Sequence, residues 1–478
     1  MDFTSGTTWG FIYVLSEWVI RIVMLVVVPF RRSPEAAKGW LLLVLFLPWV
    51  GLALYLLIGR PKYPRWRVER FAKLPEAFKP ILKRLEKDLH RFTPALSEPL
   101  ASTAALAQNL GRFRPTGRND VSILWDYDGA IDRLAEDVDR AESYVHLIYY
   151  IFADDAAGGK VVAALERAAK RGVVVRVLVD DVGSGNWWRS LSERMTSAGV
   201  QIHRALAVGL LRRKSARADL RNHRKIAIID GRIGYAGSQN LIEATFKSGL
   251  VYEDLVARVV GPVVLQLQAV FTSDWFMETE EMLDSAGLFP EPMEAGDVVV
   301  QALPSGPDYP SANLHEFALA LIYSAKKRIV MTTPYFIPDK SLLDALDTAV
   351  RRGVDVHLIV PKKSDHLVVA LAQESYYEQL LESGVNIHRY QDKFLHAKCM
   401  SFDEDLVVVG SSNMDIRSFI LNAEVCLVVF DREAASRLKA YEERCFDRSE
   451  LLSTSEWENR PFAVKLFQNL ARLMSPLL

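Results

Sequence analysis

His223-Arg224-Lys225-Ile226-Ala227-Ile228-Ile229-Asp230 is followed seven residues later by Gly237-Ser238-Gln239-Asn240, and the same pattern returns in the second half of the chain. The second copy reads His396-Ala397-Lys398-Cys399-Met400-Ser401-Phe402-Asp403 and then Gly410-Ser411-Ser412-Asn413. In both copies the glycine lies 14 residues after the histidine and the asparagine 17 residues after it, and the two histidines are 173 residues apart. Because the chain has only nine histidines in 478 residues, two copies in identical register are not a chance match. The chain therefore contains an internal repeat about one domain long.

The spacing within each copy suits one kind of chemistry. A histidine and a lysine two residues apart on an extended strand point to the same face. The apolar runs 225–229 and 398–402 predict such strands. If the two halves pack about a pseudo-twofold axis, two histidines, two lysines and two asparagines converge on one pocket. Lysine and asparagine can hold the oxygens of a phosphodiester, while one imidazole attacks phosphorus and the other protonates the leaving oxygen. We expect no metal, since ammonium groups are poor neighbours for a divalent cation.

At these residues the chain resembles the phospholipase D superfamily, whose signature is the paired HxKx4D and GSxN motif. The resemblance extends over roughly residues 110 to 445. Four further stretches are similar to bacterial cardiolipin synthases, namely Tyr149-Tyr150-Ile151-Phe152, Arg221-Asn222-His223-Arg224-Lys225, Thr333-Pro334-Tyr335-Phe336-Ile337-Pro338-Asp339 and Arg417-Ser418 with Leu421-Asn422. The resemblance implies transphosphatidylation without a cofactor. One phosphatidylglycerol donates its phosphatidyl group to a histidine and releases glycerol, and a second phosphatidylglycerol accepts it to give cardiolipin.

The resemblance also implies roles for the histidines and for two carboxylates. His223 is expected to be the nucleophile and His396 the general acid and base, although pseudo-symmetry leaves the order reversible. Glu424 and Asp254 match family carboxylates that orient a histidine by accepting its second N–H. Glu253 stands beside Asp254, which leaves that assignment open by one residue.

The remaining motif residues fall into two groups. Those expected to bind the substrate phosphate are Lys225, Lys398, Asn240, Asn413, Ser238 and Ser411. Asp230 and Asp403 belong to the catalytic motif, but each precedes a predicted turn. Since aspartate is common in turns, a structural role is favoured over a catalytic one for both.

Each half alternates apolar strands with helices, which predicts an α/β fold. The predicted strands are 145–152, 173–179, 201–206 and 225–229, then 328–333, 354–360, 385–390 and 398–402. Helices are predicted over 159–171 and 341–352. We therefore expect two pseudo-symmetric phospholipase D-like α/β/α sandwich domains with mixed sheets, over residues 111–295 and 296–445, preceded by an N-terminal transmembrane helical hairpin.

The first 60 residues form the expected membrane segment. Residues 39–58 carry no charge over 20 positions, which is long enough to span a bilayer, and Pro48 is expected to kink that helix. Residues 9–30 are also apolar but contain Glu17 and Arg21, which could pair on one helix face. An interfacial helix is the alternative for residues 9–30. A cleaved signal peptide is not expected, since no basic residue precedes the apolar run.

Residues 61–110 are predicted to be a basic juxtamembrane linker. Eleven lysines and arginines lie between Arg60 and Arg91, against four acidic residues. The positive-inside rule places this segment and the catalytic domains in the cytoplasm. The chain is expected to cross a bacterial inner membrane more than once. The cluster should also attract anionic headgroups. The expected partners are phosphatidylglycerol, other anionic phospholipids and the bilayer itself, while the oligomeric state is left open.

Two other segments have alternative interpretations. Residues 209–221 contain five basic residues just before His223. The segment is either a lid that gathers lipid headgroups or a solvated loop. The C-terminal tail, 446–478, contains apolar residues at helical spacing over 461–473. That stretch is either an amphipathic helix on the membrane surface or, as we slightly favour, a helix that packs on the domain.

Composition narrows the class of protein. The net charge is −1 and half of the residues are hydrophobic, so no nucleic-acid partner is expected. A nuclease would require basic and aromatic residues along a groove rather than membrane spans. A phospholipid hydrolase that uses water as the acceptor remains the principal alternative. A non-catalytic scaffold is disfavoured because both motifs are intact.

Overall fold

The computed structural model describes residues 3–32, 34–59, 65–209, 216–217, 219–283, 286–473 and 475. The chain forms two compact units, Met1–Pro64 and Arg65–Leu478. Most of the basic segment 209–221, interpreted above as a lid or a solvated loop, lies outside the described residues.

The first unit consists of the helices α1 (Phe3–Val27), α2 (Pro34–Phe46) and α3 (Pro48–Ile58). Within α1, Thr8–Val27 is long and apolar enough to cross a bilayer. The segment 39–58, predicted as one kinked span, is instead two shorter helices that meet at Leu47. The break has a local cause, because proline lacks an N–H and restricts the residue before it.

A small apolar core holds the three helices together through residues such as Met24, Val44 and Tyr55. The predicted pair between Glu17 and Arg21 is present, with Nη2 of the arginine 3.2 Å from the carboxylate. Arg21 also donates from Nε to the carbonyl of Leu45, at 3.1 Å. The charges inside the apolar helix are therefore satisfied within this unit.

The second unit alternates helices with strands. Its helices are α4 (Arg65–His90), α5 (Glu98–Gly111), α6 (Tyr127–Asp139), α7 (Gly158–Lys170), α8 (Trp188–Ser197), α9 (Val264–Thr279), α10 (Asn313–Ser324), α11 (Lys340–Arg351), α12 (Leu367–Glu374), α13 (Tyr377–Glu382), α14 (Ile416–Ile420), α15 (Arg432–Asp447), α16 (Thr454–Glu458) and α17 (Phe462–Arg472).

The strands of the first half are β1 (Thr116–Leu124), β2 (Tyr144–Tyr149), β3 (Val174–Asp180), β4 (Gln201–Ala205), β5 (Arg221–Asn222), β6 (Ile226–Ile229), β7 (Ile233–Gly237), β8 (Tyr252–Glu253) and β9 (Val256–Val260). Those of the second half are β10 (Val298–Ser305), β11 (Arg328–Thr332), β12 (Phe336–Ile337), β13 (Asp355–Pro361), β14 (Asn386–Tyr390), β15 (Phe394–Leu395), β16 (Cys399–Phe402), β17 (Leu406–Gly410), β18 (Met414–Asp415), β19 (Asn422–Phe430) and β20 (Ser449–Leu451). Every strand and helix predicted in the two halves is present, with boundaries shifted by one to three residues.

One mixed sheet runs through both halves in the order β20-β14-β13-β11-β16-β17-β19-β10-β1-β9-β7-β6-β2-β3-β4. The halves meet at its centre, where β1 and β10 pair antiparallel. On either side of this pair the strand order repeats: β9, β7, β6, β2, β3 and β4 in one half correspond to β19, β17, β16, β11, β13 and β14 in the other. The predicted pseudo-symmetric α/β fold is confirmed.

Alternating side chains of the sheet enter different core layers. In β6, Ile226 and Ile228 join a layer that also contains residues of α4, α9 and α15, while Ala227 and Ile229 face α6 and α7. The first of these layers also receives Val407 and Val409 from β17, so it extends across both halves. This shared layer explains why residues 65–478 form a single compact unit.

The segment predicted as a basic linker folds instead as α4 and α5. Arg67 is 1% exposed and pairs with Glu278, and the buried Arg70 pairs with Glu280. Arg84 donates to the carbonyl of Phe289. Arg67 and Arg70 stabilise the unit itself because burial of a charge requires a partner, and they are not available to lipid headgroups, whereas the Arg84 side chain is 42% exposed.

Asp230 and Asp403 occupy equivalent turns after β6 and β16, at the opposite end of the motif from the histidines. Each has a φ of 53°. The Asp230 carboxylate accepts hydrogen bonds of 2.8–2.9 Å from the backbone N–H groups of Glu142, Ser143 and Tyr144. The Asp403 carboxylate accepts bonds of 2.7–3.2 Å from those of Lys326, Lys327 and Arg328. Each aspartate therefore fixes the start of a central strand, β2 or β11.

We predict that Asp403→Ala lowers the free energy of unfolding by about 2 kcal/mol, because three N–H groups lose a charged acceptor. Asp403→Asn should cost less, since asparagine keeps one acceptor oxygen and also tolerates positive φ. Thermal unfolding of the purified variants measures both effects, with turnover per folded molecule expected to stay within about threefold of the parent. Normal stability combined with a loss of turnover above about a hundredfold would instead make Asp403 catalytic.

Candidate active site

Two short strand pairs bring the motifs together across the halves. β5 pairs in parallel with the start of β19, and β15 pairs in parallel with β8. The backbone then continues each ladder by one bond: the N–H of His223 donates to the carbonyl of Ala423 at 2.9 Å, and the N–H of His396 donates to that of Glu253 at 2.7 Å. Each motif histidine is thus attached to the opposite half of the molecule.

The carboxylates that face the histidines also come from the opposite halves. Nδ1 of His396 lies 2.8 Å from Oδ1 of Asp254. Nδ1 of His223 lies 3.0 and 3.1 Å from the oxygens of Glu424 and 3.1 Å from the carbonyl of Ser411. A carboxylate accepts from Nδ1–H, which leaves Nε2 of each ring to face the pocket with its lone pair or with a proton.

The geometry decides between Asp254 and Glu253. Glu253 points the other way, accepting a hydrogen bond from the Tyr390 hydroxyl at 2.9 Å and forming an ion pair with Arg444 at 2.7 Å. Both neighbouring carboxylates are therefore engaged, and only that of Asp254 contacts a motif histidine.

Lys225 and Lys398 are placed by the same local bond in the two halves. Each Nζ donates to the carbonyl of the histidine two residues earlier, at 2.7 Å. Both side chains are almost completely buried. Burial lowers the pKa of Lys225 to about 7 and that of Lys398 to about 8, while Glu424 and Asp254 act against this shift. An anion in the pocket would restore the charge of both ammonium groups.

The motif asparagines line the pocket, whereas the motif serines lie behind it. Oδ1 of Asn240 accepts from the N–H of Ile151 at 3.1 Å, which orients its amide N–H2. Asn413 lines the same cavity, and its Oδ1 is a buried acceptor without a hydrogen-bond donor in the described part of the chain.

Ser238 and Ser411, predicted to bind phosphate, are fully buried and bond to the adjacent strand. The Ser238 hydroxyl bridges the carbonyl and N–H of Leu255, at 3.1 and 3.0 Å. The Ser411 hydroxyl donates to Glu424 and accepts from the N–H of Val425 at 3.1 Å. These hydroxyls support the carboxylates rather than a ligand, because the preceding glycine of each motif lies against the neighbouring strand and directs the serine towards it. A Cβ on Gly237 would lie 2.4 Å from the carbonyl oxygen of Leu255.

The electrostatic environments of the two histidines differ. Burial, together with Lys225 and Lys398, lowers the pKa of His223 well below its usual value. Burial also lowers the pKa of His396, but Asp254 opposes that shift. Despite burial, the pKa of Asp254 is lowered, because His396 and Lys398 stabilise its charge, whereas burial raises the pKa of Glu424 to about 7. His223 is therefore the more neutral ring, and His396 faces the more fully ionised carboxylate.

The two histidines open into a cavity of about 570 Å³. An aromatic edge covers each ring, with Tyr150 4.8 Å from His223 and Tyr252 5.4 Å from His396, measured between ring centroids. Tyr335 and Ile337, from the stretch that follows β11, line the wall, while Phe336 between them is buried in the core. This stretch therefore contributes both to the cavity wall and to the core.

The outer wall contains charged residues that the sequence analysis missed. Asp365 accepts from the hydroxyls of Tyr335 and Tyr252, at 2.7 and 3.0 Å, and pairs with Lys247 at 3.2 Å. His366, which lies outside both motifs, also lines the cavity. No motif marks these residues; the polar run Lys362-Lys363-Ser364-Asp365-His366 at the carboxyl end of β13 was the available signal.

Arg221 and Arg417 line the same wall. Arg221 is fixed by Asp180 at 3.1 Å, and Arg417 donates to the carbonyl of Asp219 at 3.4 Å. Both stretches were identified above only by resemblance. Among the described residues no group of three or more His, Cys, Asp or Glu is placed to hold a metal ion.

Comparisons with known proteins agree with this geometry. A family profile described as "Cardiolipin synthase, PLD-like domain" matches residues 134–275 and 318–446, and one described as "Phospholipase_D-nuclease N-terminal" matches residues 19–60. The chain is 35% identical to cardiolipin synthase A of Pectobacterium carotovorum, over 99% of this chain and 100% of the relative. It is 33% identical to cardiolipin synthase A of Serratia proteamaculans with the same coverage.

Among solved structures, phosphatidylserine synthase of Haemophilus influenzae matches with a TM-score of 0.60 at 14% identity, over 79% of this chain and 98% of that one. That likeness concerns the fold. The paired motif, the strand order that repeats about β1 and β10, and full-length similarity to curated relatives together lead to one conclusion: the chain belongs to the cardiolipin synthase family of phospholipase D-like proteins.

Proposed function

We propose that this protein is a phosphatidyltransferase that makes cardiolipin and glycerol from two molecules of phosphatidylglycerol. The observation that carries the proposal is the reciprocal arrangement of the two histidines, each held at Nδ1 by a carboxylate from the opposite half and each facing one cavity with Nε2. Two asparagines line that cavity, and the two buried lysines lie beside the histidines, each bonded to a histidine carbonyl, so the surroundings suit a phosphodiester anion.

In the first step, Nε2 of His223 attacks the phosphorus of one phosphatidylglycerol. The bond from phosphorus to the headgroup glycerol oxygen breaks, and His396 gives that oxygen its Nε2 proton. The lowered pKa of His223 favours a neutral nucleophile. The negative charges of Asp254 and of the bound phosphate both favour the protonated form of His396 that this step requires.

In the second step, a terminal glycerol hydroxyl of another phosphatidylglycerol takes the place of the leaving glycerol. His396, now neutral, accepts its proton while the oxygen attacks phosphorus, and the bond from phosphorus to His223 breaks. Lys225, Lys398, Asn240 and Asn413 hold the non-bridging oxygens through both steps. Each histidine thus returns to its starting protonation state.

Hydrolysis by water is the competing outcome at the same intermediate. Cardiolipin synthesis must bring the phosphate of the acceptor lipid next to the reacting phosphate. Arginines on the outer wall can bind that second phosphate, and they therefore favour a lipid acceptor over water. Arg417 lies on that wall with a single hydrogen bond to a backbone carbonyl among those described. We assign it to the phosphate of the acceptor lipid.

We further propose that the enzyme is anchored in a bacterial inner membrane with its catalytic unit in the cytoplasm. Support comes from α1, which is long enough to span the bilayer, and from the uncharged residues 39–58 that follow. Three basic residues lie between these apolar segments, whereas eleven lie between Arg60 and Arg91, so the positive-inside rule favours the cytoplasm for the catalytic unit. Protease accessibility of inside-out membrane vesicles would test this topology.

The covalent intermediate distinguishes the two histidines. We predict that both His223→Ala and His396→Ala abolish cardiolipin formation, but that only His396→Ala accumulates a phosphatidyl adduct, on the peptide containing His223. Mass spectrometry of rapidly quenched protein, kept at neutral pH because phosphohistidine is acid-labile, measures the adduct. An adduct on His396 in the His223→Ala variant would reverse the roles, and full turnover by either variant would refute the mechanism.

The buried lysines predict the pH dependence of substrate binding. Lys398 is charged below its pKa of about 8 and neutral above it, so attraction for phosphate declines as the pH rises. The KM for phosphatidylglycerol should increase by about tenfold from about pH 7 to about pH 9. Lys398→Arg keeps its charge over this range and should give a flatter KM profile, even if kcat is lower. A KM that does not change with pH in the parent enzyme would contradict the assignment.

Arg417 should affect the choice of acceptor more than consumption of the donor. We expect Arg417→Gln to lower the ratio of cardiolipin to phosphatidic acid by about tenfold, because the acceptor lipid loses a cationic contact while water does not. Loss of phosphatidylglycerol, measured in the same reactions, should change far less. Arg417→Lys should restore part of the ratio, whereas equal loss of both products would place Arg417 on the donor.

A further inference from the structure

Helix α17 packs against the second unit with its polar side inward. Gln468 and Ala471 are its buried residues. Nε2 of Gln468 donates to Glu374 of α12 at 2.9 Å, and its Oε1 accepts from Arg460 at 3.1 Å. Lys465 pairs with Glu378 at 3.4 Å. These polar contacts determine which side of the helix faces the protein.

The opposite side of α17 is apolar and exposed. Helical spacing places its large apolar residues on that side, and their exposed fractions are 79% for Phe462, 45% for Leu466, 60% for Phe467, 50% for Leu470 and 76% for Leu473. A helix on the surface of a soluble domain normally has the reverse orientation, with its apolar stripe facing the core. The exposed side therefore requires an apolar environment that the second unit does not provide.

The same surface continues to the mouth of the active-site cavity. Leu367 and Val368, at the start of α12, are 74% and 47% exposed, and α12 is the helix to which Gln468 bonds. Their neighbours His366 and Val369 line the cavity itself. We name the exposed residues of α17 together with Leu367 and Val368 the apolar ridge.

We propose that the apolar ridge docks on the lipid bilayer and holds the mouth of the cavity against the membrane surface. The proposal rests on the proposed function in one respect, since the cavity must receive phospholipids, which reside in the bilayer. An apolar helix side buried at the headgroup boundary is the usual geometry of an interfacial helix. The anchoring helix α1 keeps the bilayer at a high effective concentration for the rest of the chain.

Contact with lipid can be measured without any assay of catalysis. The three native cysteines, Cys399, Cys426 and Cys445, are buried, so a cysteine introduced on the surface can be labelled selectively. The full-length variant Phe467→Cys, carrying an environment-sensitive dye, is reconstituted into vesicles that contain lipids with brominated acyl chains. Tyr323→Cys is the matched control, because Tyr323 is a helical residue of α10 that is 48% exposed and lies outside the ridge.

We expect bromine to quench the dye at position 467 several-fold more than at position 323. Equal quenching at the two positions would overturn the proposal. A blue-shifted dye at position 467 without bromine quenching would also overturn it, since the ridge would then be covered by protein, either a second copy or another part of the same chain.

A second experiment connects the ridge with access to substrate. The double variant Phe467→Gln, Leu470→Gln should lose about tenfold in kcat/KM for long-chain phosphatidylglycerol in vesicles, because two large apolar side chains no longer bury at the interface. It should keep normal activity on a short-chain phosphatidylglycerol dissolved below its micelle concentration. Equal loss on both substrates would refute a docking role. If the parent enzyme used neither substrate, the proposed function would be wrong. The quenching experiment would still test whether the ridge contacts lipid, because it does not depend on catalysis.

Discussion

The active site depends on one reciprocal contact, in which each half of the molecule orients the histidine of the other half. Asp254 of the first half holds His396, and Glu424 of the second half holds His223. The four groups are buried, so their hydrogen bonds lie in a medium of low dielectric where an unpaired partner would be costly. Neither half contains a complete site alone, and the antiparallel pair β1–β10 at the centre of the sheet keeps the two halves in register.

The strand order repeats between the two halves, but the chemical environments of equivalent residues differ. Both lysines make the same bond to the preceding histidine carbonyl, and both turn aspartates fix an equivalent strand start. The carboxylates differ, however, since burial raises the pKa of Glu424 while cations lower that of Asp254. In the proposed mechanism, this difference lets two identical side chains take separate roles, those of nucleophile and proton donor.

The rest of the second unit surrounds the cavity with groups that suit the proposed phospholipid substrate. Tyrosines cover the histidine rings, charged residues form the outer wall, and the apolar ridge begins where that wall ends. Two of the basic residues of α4 have a structural role rather than the lipid-binding role that their clustering indicates. Arg67 and Arg70 form buried ion pairs, so the number of basic residues in the sequence overestimates the number that can contact lipid.

The sequence by itself determined the repeat, the α/β class and the motif residues, because identical spacing in two copies reflects local strand and turn geometry. The resemblance to a known family added Glu424 and left the other orienting carboxylate open between Glu253 and Asp254. Only the tertiary structure decided that each carboxylate serves the opposite half, that Asp254 rather than Glu253 makes the contact, and that Ser238 and Ser411 lie behind the cavity. It also turned the polar side of α17 inward. Such features depend on contacts between residues far apart in the chain, which spacing does not encode.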